Sequence, residues 1–388
     1  MPNILTGLIP SIYAGLDVVS RELVGVIPGL TLDAQVARAA LNQTVSSPVA
    51  PASLASDVTP GVVPPDDGDQ TIGRKDITIT KSRRVPIRWN GEDTRGVNTG
   101  PGVNTIFRDQ VAQAVRTLVN EIEVDVVTEA RKNASRACGT AGTTPFGTAN
   151  DLTDSSNLLQ ILENNGGGSL ERSLVLNSAA MNNCRGKQAV LFKVNEAGTD
   201  EMLRNGILGD LHGAQARQSA QLKTVGAGTG ASYTTNTAGY AVGATAITLI
   251  TGTGTINAGD VVTFAGDANK YVVAAGIAAP GVITLAAPGL QSPIAASATA
   301  VTAGAAYTPS ILFAKSALVL ATRAPALPKD PSGREMDLAI DRMMITDPVT
   351  NLTFEMSVYM QYRQIQYEIA VAWGQRAVKA EHIALLLG

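Results

Sequence analysis

Along residues 104–137, NTIFRDQVAQAVRTLVNEIEVDVVTEARKNASRA, apolar side chains recur at the helical period: Val111, Val115, Leu118, Ile122 and Val126 form one stripe. Arg116, Glu123 and Arg131 fall away from it. A helix of roughly 30 residues would run about 45 Å, longer than most globular helices, and so predicts a structural spine. The same period carries Leu5, Leu8, Ile12, Leu16, Val19 and Leu23, with Pro10 and Ser11 setting the start of a helix and Pro28-Gly29 ending it. A second short helix is expected over TLDAQVARAALNQ, residues 31–43.

Elsewhere the period is two. In KDITITKSRRVPIRWNGED (75–93), Ile77 and Ile79 alternate with Thr78 and Thr80, then Val85, Ile87 and Trp89 with Pro86 and Arg88. Alternation on both sides of KSRR predicts a long hairpin with a basic tip, and Pro86 places its second strand at an edge. Before it, SSPVAPASLASDVTPGVVPPDDGDQ (46–70) holds five prolines among small polar residues. Such a stretch has no core of its own and is expected to lie extended against a neighbouring subunit. After the spine, DLTDSSNLLQILENNGGG reads as a helix, RSLVLN (172–177) as a buried strand, SAAMNNCRG as a short helix and GILGDLHGAQARQSAQL as strand-turn-strand.

From Val225 to Thr308 the texture changes. AITLI, DVVTFA, KYVVAA and GVITLA are short β-prone runs separated by Gly, Asn and Pro turns at intervals of about ten residues, the spacing of a small sandwich or barrel. ILFAKSALVLATRA (311–324) then predicts a return to helix. LAIDRMMITDP and LTFEMSVYMQYRQIQYEIAVAWG predict a β hairpin. The surrounding domain resumes after the β-rich stretch, so residues 225–308 are expected to be an insertion.

Composition narrows the function classes. The chain has 388 residues, enough for two or three domains, and its net charge of −3 offers no global basic field for nucleic acid. Aromatics at 4% leave few large core fillers, which favours burial against other copies. Cys138 and Cys184 are the only cysteines, which fits a reducing compartment. The opening MPNILTGLIPSIYAG has no basic leader, and no run of about eighteen apolar residues predicts a membrane partner.

Candidate chemistry is sparse. GTGTINAG (252–259) invites a phosphate-cradling reading, but phosphate loops need a helix after the glycines, and here VVTFAG follows as a strand. Gly252, Gly254 and Gly259 are therefore expected to serve turns. His212 and His382 have no partner at metal-ligand spacing, and Cys184 reads as a small core filler; no catalytic, cofactor or metal residues are assigned. Glu121, Glu123, Asp125 and Glu129 could pair carboxylates, but the simpler expectation is a solvated acidic helix face answered by Arg131 and Lys132. Lys81, Arg83, Arg84, Arg88 and Trp89 are candidates for contact with an acidic neighbour, and Asp260, Asp267 and Lys270 for contacts from the β-rich stretch.

The order of segments, carried by DITITKSRRVPIRWNGED, RSLVLNSAAMNNC, MLRNGILGDLHGAQARQSAQL, ITLITGTGTINAGDVVTFAG and SILFAKSALVLATRAPALP, resembles the major coat proteins of tailed bacteriophages with the Hong Kong 97-type fold, in particular podophage-type members with an inserted β domain. The resemblance implies an α+β capsid fold with an N-terminal arm (1–70), an extended hairpin loop (71–98), the spine helix and first part of the core (99–224), an inserted all-β domain (225–308) and the remainder of the core (309–388), which together form peripheral and axial domains. It further implies a homo-oligomer of hexamers and pentamers in an icosahedral shell, assembled in the host cytoplasm with scaffolding protein, a portal and possible decoration protein. Double-stranded DNA would be packaged without sequence-specific binding. An encapsulin-type shell, or an adhesin built on the β module, are the alternatives.

Overall fold

The computed structural model describes residues 23–34, 37–49, 71–97, 102–168, 171–188 and 208–388, with isolated positions in 55–69 and at 191 and 206. The helix expected over 5–23 falls almost wholly outside the described residues. Among the described residues the first element is a 3₁₀ turn at Ile27–Gly29, followed by β1 (Thr31–Ala34), β2 (Thr44–Val49), β3 (Gly73–Thr78), β4 (Lys81–Asn90), α1 (Gly91–Val97) and α2 (Gly102–Lys132). Then come β5 (Arg136–Gly139), α3 (Thr153–Asn164), β6 (Arg172–Leu176), α4 (Ser178–Lys187), β7 (Asp210–Leu211) and β8 (Ala214–Gln218). Six short strands follow: β9 (Tyr233–Thr234), β10 (Ala246–Leu249), β11 (Val261–Phe264), β12 (Lys270–Ala275), β13 (Gly281–Leu285) and β14 (Ala300–Ala303). The chain closes with β15 (Pro309–Ala314), β16 (Leu318–Arg323), β17 (Asp341–Thr346), β18 (Thr353–Gln361), β19 (Gln364–Ala377) and β20 (Ile383–Leu387).

The spine helix forms as its stripe predicts. Val111, Val115, Leu118, Ile122 and Val126 are each at most 1% exposed and anchor the main core, against Phe313, Leu320, Phe354, Ile369, Trp373 and Leu385. The short helix α4 starts where Asn177 can cap it: its side-chain oxygen accepts the Ala180 N–H at 2.6 Å. Strand β6, the α3 helix and the β7–β8 hairpin also take the forms their sequences predict.

Three expectations are corrected. Residues 31–34 are a strand, not the start of a helix, because β1 finds a parallel partner in β16 and tertiary pairing overrides local helix preference. Residues 311–324 are two strands joined by a 3₁₀ turn at Lys315–Ala317. Every residue of β15 is buried, and a strand covered on both faces has no alternation to distinguish it from a helix. The third correction concerns 75–93: both halves are strands, but they do not pair with each other. β3 pairs antiparallel with β2, from Thr44↔Thr78 to Val49↔Gly73, while β4 pairs with β19, from Asn90↔Gln364 to Lys81↔Trp373. KSRR is thus the first part of β4 rather than a tip, and the Pro-rich stretch connects the two strands of a separate ribbon.

β19 is the common member of one sheet, pairing with β4, β16 and β18, and β18 pairs in turn with β17. The other large sheet runs β7-β8-β6-β15-β20-β5-β12-β11-β14-β9, with β10 and β13 attached through β12. Residues 225–308 hold the core of Tyr233, Ile247, Val262, Tyr271, Val273, Ile283 and Leu290. They enter and leave through an antiparallel bridge, Val225 N–H to Tyr307 O at 2.8 Å and Tyr307 N–H to Val225 O at 3.2 Å. The expected turn role of the glycines holds: Gly252, Gly254 and Gly259 have φ of +99°, +81° and +92°, where an L side chain is strained. At Gly254 an added Cβ would also lie 2.3 Å from the Thr229 carbonyl oxygen.

The β-rich segment is joined to the rest by more than its bridge. β12 pairs antiparallel with β5 at Lys270↔Ala137 and Tyr271↔Arg136, and Lys270 Nζ donates to the Gly139 carbonyl at 2.5 Å. Removing residues 228–305 and closing the gap with a short linker is therefore expected to strip β5 of one neighbour and sharply lower soluble yield, measured by expression and sedimentation. Full soluble yield would show that the segment is structurally separable.

Candidate assembly surface and its internal anchors

The eight residues expected at contacts between copies all have partners inside the chain. Lys81 Nζ donates to Glu121 Oε1 at 3.0 Å and Asp125 Oδ1 at 2.9 Å, and Arg83 Nε lies 3.3 Å from the same Glu121 oxygen. Arg84 pairs with Glu368 at 2.7 Å, Arg88 donates to Gln366 at 3.3 Å, and Trp89 Nε1 donates to Gln110 at 2.9 Å. β4 is thus stitched to α2 on one side and to β19 on the other. Arg83, Arg84 and Arg88 stay exposed and retain surface to offer, although an exposed ion pair contributes only about 0–1 kcal/mol.

The β-rich segment's charges act locally. Asp260 is 3% exposed, and its Oδ2 accepts the Gly228 and Asn257 N–H groups at 3.0 and 2.7 Å. It fastens two turns and has no surface for a neighbour, which corrects the expectation for that residue. Asp267 accepts the Asn269 N–H and the Tyr271 hydroxyl, the latter at 2.6 Å. Burial first, and then that bond to Asp267, push the Tyr271 phenol up to about 12. Lys270 reaches β5, as described above.

The carboxylates of α2 are likewise not a solvated face. Asp125 Oδ2 accepts Trp373 Nε1 at 2.9 Å while its Oδ1 takes Lys81, and Glu129 Oε1 accepts the Ala377 N–H at 3.2 Å. Glu123 is fully buried. Its Oε1 accepts the N–H groups of Gly25 at 3.0 Å and Val26 at 2.9 Å and the Ser219 hydroxyl at 2.9 Å; its Oε2 accepts Ile27 N–H at 3.0 Å. Burial pushes this carboxyl's pKa up, and the four hydrogen bonds pull it partly back. The chemistry of such a carboxylate is positional: it clasps the N-terminal segment against α2 and the end of β8. Polarity alone hid it, but Glu123 sits four residues from both Val119 and Val127, which are buried, and that spacing marks the face.

Among the described residues no group of three metal-ligating side chains occurs, and no helix is long and apolar enough to cross a membrane. Burial pushes the Cys138 and Cys184 thiols up to about 12 and about 11, away from the reactive thiolate. Ser155 Oγ lies 3.1 Å from His212 Nδ1, but it also donates to the Leu152 carbonyl at 2.8 Å, a helix-start bond that leaves the hydroxyl proton occupied.

No family model matches the chain, and no curated protein matches it in sequence. Solved structures with a similar course include one from Mycobacterium phage Che8 (11% identity, covering 100% of this chain and 96% of that one, TM-score 0.45). The capsid of cyanophage P-SCSP1u is similar at 10% identity over 95% and 89% of the two chains, TM-score 0.49. The virus-like particle of Pyrococcus furiosus is similar at 10% identity over 98% and 97%, TM-score 0.46. TM-scores below 0.5 leave the question of function to the chain's own residues and topology.

Two outcomes test the anchors on the isolated chain. Glu123→Gln places an amide N–H₂ among four donors and is expected to destabilise the fold by about 1–3 kcal/mol in urea titration, with faster proteolysis ahead of Gly25. Lys81 is the second test. Burial lowers its pKa, but hydrogen bonds and charge attraction from Asp125 and Glu121 outweigh this and raise it above the ordinary 10.5. Its contribution is therefore complete below that value and is lost as pH rises through the raised one; Lys81→Met is expected to remove this alkaline loss of stability.

Proposed function

We propose that the chain is a shell-building subunit with the Hong Kong 97-type fold, the major capsid protein of a tailed phage. On this reading residues 225–308 are a β module inserted into the capsid core. The observation that carries it is the β2–β3 ribbon. It forms a two-stranded sheet of its own; its inner end is covered within the chain, where Ile77 packs with Ala321 and Ala372, but Gly73, Arg74 and Lys75 at its outer end are exposed, and an uncovered ribbon is at best marginally stable in water. In the connection between its two strands Val58, Val62 and Ile72 are 96%, 104% and 73% exposed. A ribbon of this kind standing ahead of a 31-residue spine helix fits a subunit completed by its neighbours.

Copies would tile a closed shell as hexamers and pentamers, which leaves no open edge to recruit further chains. Scaffolding protein, a portal and a decoration protein are the partners this role calls for, with the shell formed in the host cytoplasm and becoming the virion capsid. A net charge of −3 suits a wall that must let double-stranded DNA pack without gripping it.

Electron microscopy and size-exclusion chromatography of the expressed chain test the reading. Closed shells of uniform diameter are expected, with double-stranded DNA in particles recovered from infected cells. A stable monomer of about 40 kDa at every concentration would overturn the shell role. Shells that enclose an enzyme instead of nucleic acid would select the encapsulin-type alternative.

A further inference from the structure

A polar recess of about 390 Å³ lies where the 3₁₀ turn at Ile27–Gly29 meets the ends of β6 and β8 and the turn after β15. Three cations line it: Arg172, Arg217 and Lys315. Two of them have their charge answered. Arg172 donates to the Gly168 and Gly167 carbonyls at 2.7 and 2.9 Å and lies 3.5 Å from Glu163, and Lys315 pairs with Glu171 at 2.9 Å.

Arg217 is different. Its Nη2 donates to the neutral amide oxygen of Gln215 at 2.5 Å, its Nε is shielded from water with no partner, and no carboxylate among the described residues pairs with it. A half-buried guanidinium with only an amide to answer it keeps most of its desolvation cost, because an amide oxygen carries no counter-charge. Burial accordingly pulls its pKa down. In a polar recess such a group is matched by an anion that accepts from its planar fork.

We infer that this recess is a binding site for a small oxyanion of the phosphate class, held by Arg217 with Lys315 beside it. Glu171 and Asp210 also line the recess, and their charges disfavour a long polyanion while leaving room for a compact one. One wall is Pro28-Gly29, directly after the segment clasped by Glu123. Gly29 is required there, since an added Cβ would come 2.5 Å from Ser173 Oγ. The site is complete only when the N-terminal segment is seated, so a bound anion stabilises the seated form by mass action. The site depends on the subunit's own fold and stands or falls separately from the shell-building role.

Calorimetric titration of inorganic phosphate into the unassembled full chain, with thermal unfolding in parallel, tests the site. Saturable binding to one site and a rise in Tm are expected. Arg217→Gln should weaken binding at least about tenfold, the loss of one charge-assisted contact. Gln215→Glu is the second variant: it supplies a carboxylate to Arg217 within the chain, so it should abolish the phosphate response while leaving the protein folded and at least as stable without phosphate. Equal phosphate responses in wild type and both variants would overturn the site, as would the absence of saturable binding. A response to short duplex DNA but not to phosphate would also overturn it. So would a phosphate-independent self-association lost in Arg217→Gln, which would make a second copy's carboxylate the occupant.

Discussion

The structure depends on one arrangement: four carboxylates within about two turns of a single long helix, which between them hold β4, β19, residues 25–27 and Ser219. Glu121 and Asp125 take Lys81 of β4, Asp125 also takes the Trp373 indole of β19, Glu129 takes the Ala377 N–H of the same strand, and Glu123 takes three backbone N–H groups at 25–27 with Ser219. A helix alone fixes the spacing of such groups along its axis to about 1.5 Å per residue. Everything attached to them inherits that spacing. The apolar stripe provides most of the stabilisation, but apolar contact is non-directional and would tolerate sliding; the carboxylates set the register.

Register matters most at β19. This strand is hydrogen-bonded to β4, β16 and β18, so a shift of one residue would turn Trp373 and Val371 from the main core toward the face where the smaller Ala372 packs with Ile77 and Ile79. Trp373 is held twice, by full burial and by its bond to Asp125. Lys81 lies 5.8 Å from its ring centroid and is itself paired with Asp125, which closes the arrangement on itself.

Period and burial explain which parts of this were legible beforehand. The α2 stripe was plain because Val111 through Val126 repeat at the helical spacing on an amphipathic helix. The strands at 73–90 were plain as strands because Ile77, Ile79, Val85 and Ile87 alternate with polar residues. Their partners were not, because alternation carries no record of pairing: β3 turns back to β2 across the Pro-rich connection, and β4 pairs with a strand near the other end of the chain. β15 was misread for a physical reason as well, since SILFA is buried on both faces and shows no period. Among candidate residues, Asp260 is legible, with Asp267 and Lys270, as one of the few charges in its segment, but an acid beside Asn257 and glycines serves a turn before it serves a partner. Arg217 gave no signal, since its distinction is the absence of a counter-charge in three dimensions.

The internal use of charge constrains how such a subunit meets others. Lys81, Asp125, Glu123, Asp260 and Lys270 are committed within the chain, and the exposed pairs Arg84–Glu368 and Lys315–Glu171 are of the kind that contribute little. Besides these pairs, the surface carries exposed apolar side chains. Leu338 and Tyr362 are 88% and 86% exposed, and Val58, Val62 and Ile72 are largely exposed in the connection between β2 and β3. On the shell-building reading, these exposed apolar side chains are available for contact between copies. Such contacts are individually weak and only mildly sensitive to salt, and strength comes from their number around a closed surface. On the same reading, a subunit that has committed these particular charges internally has fewer of them to offer in premature ionic association.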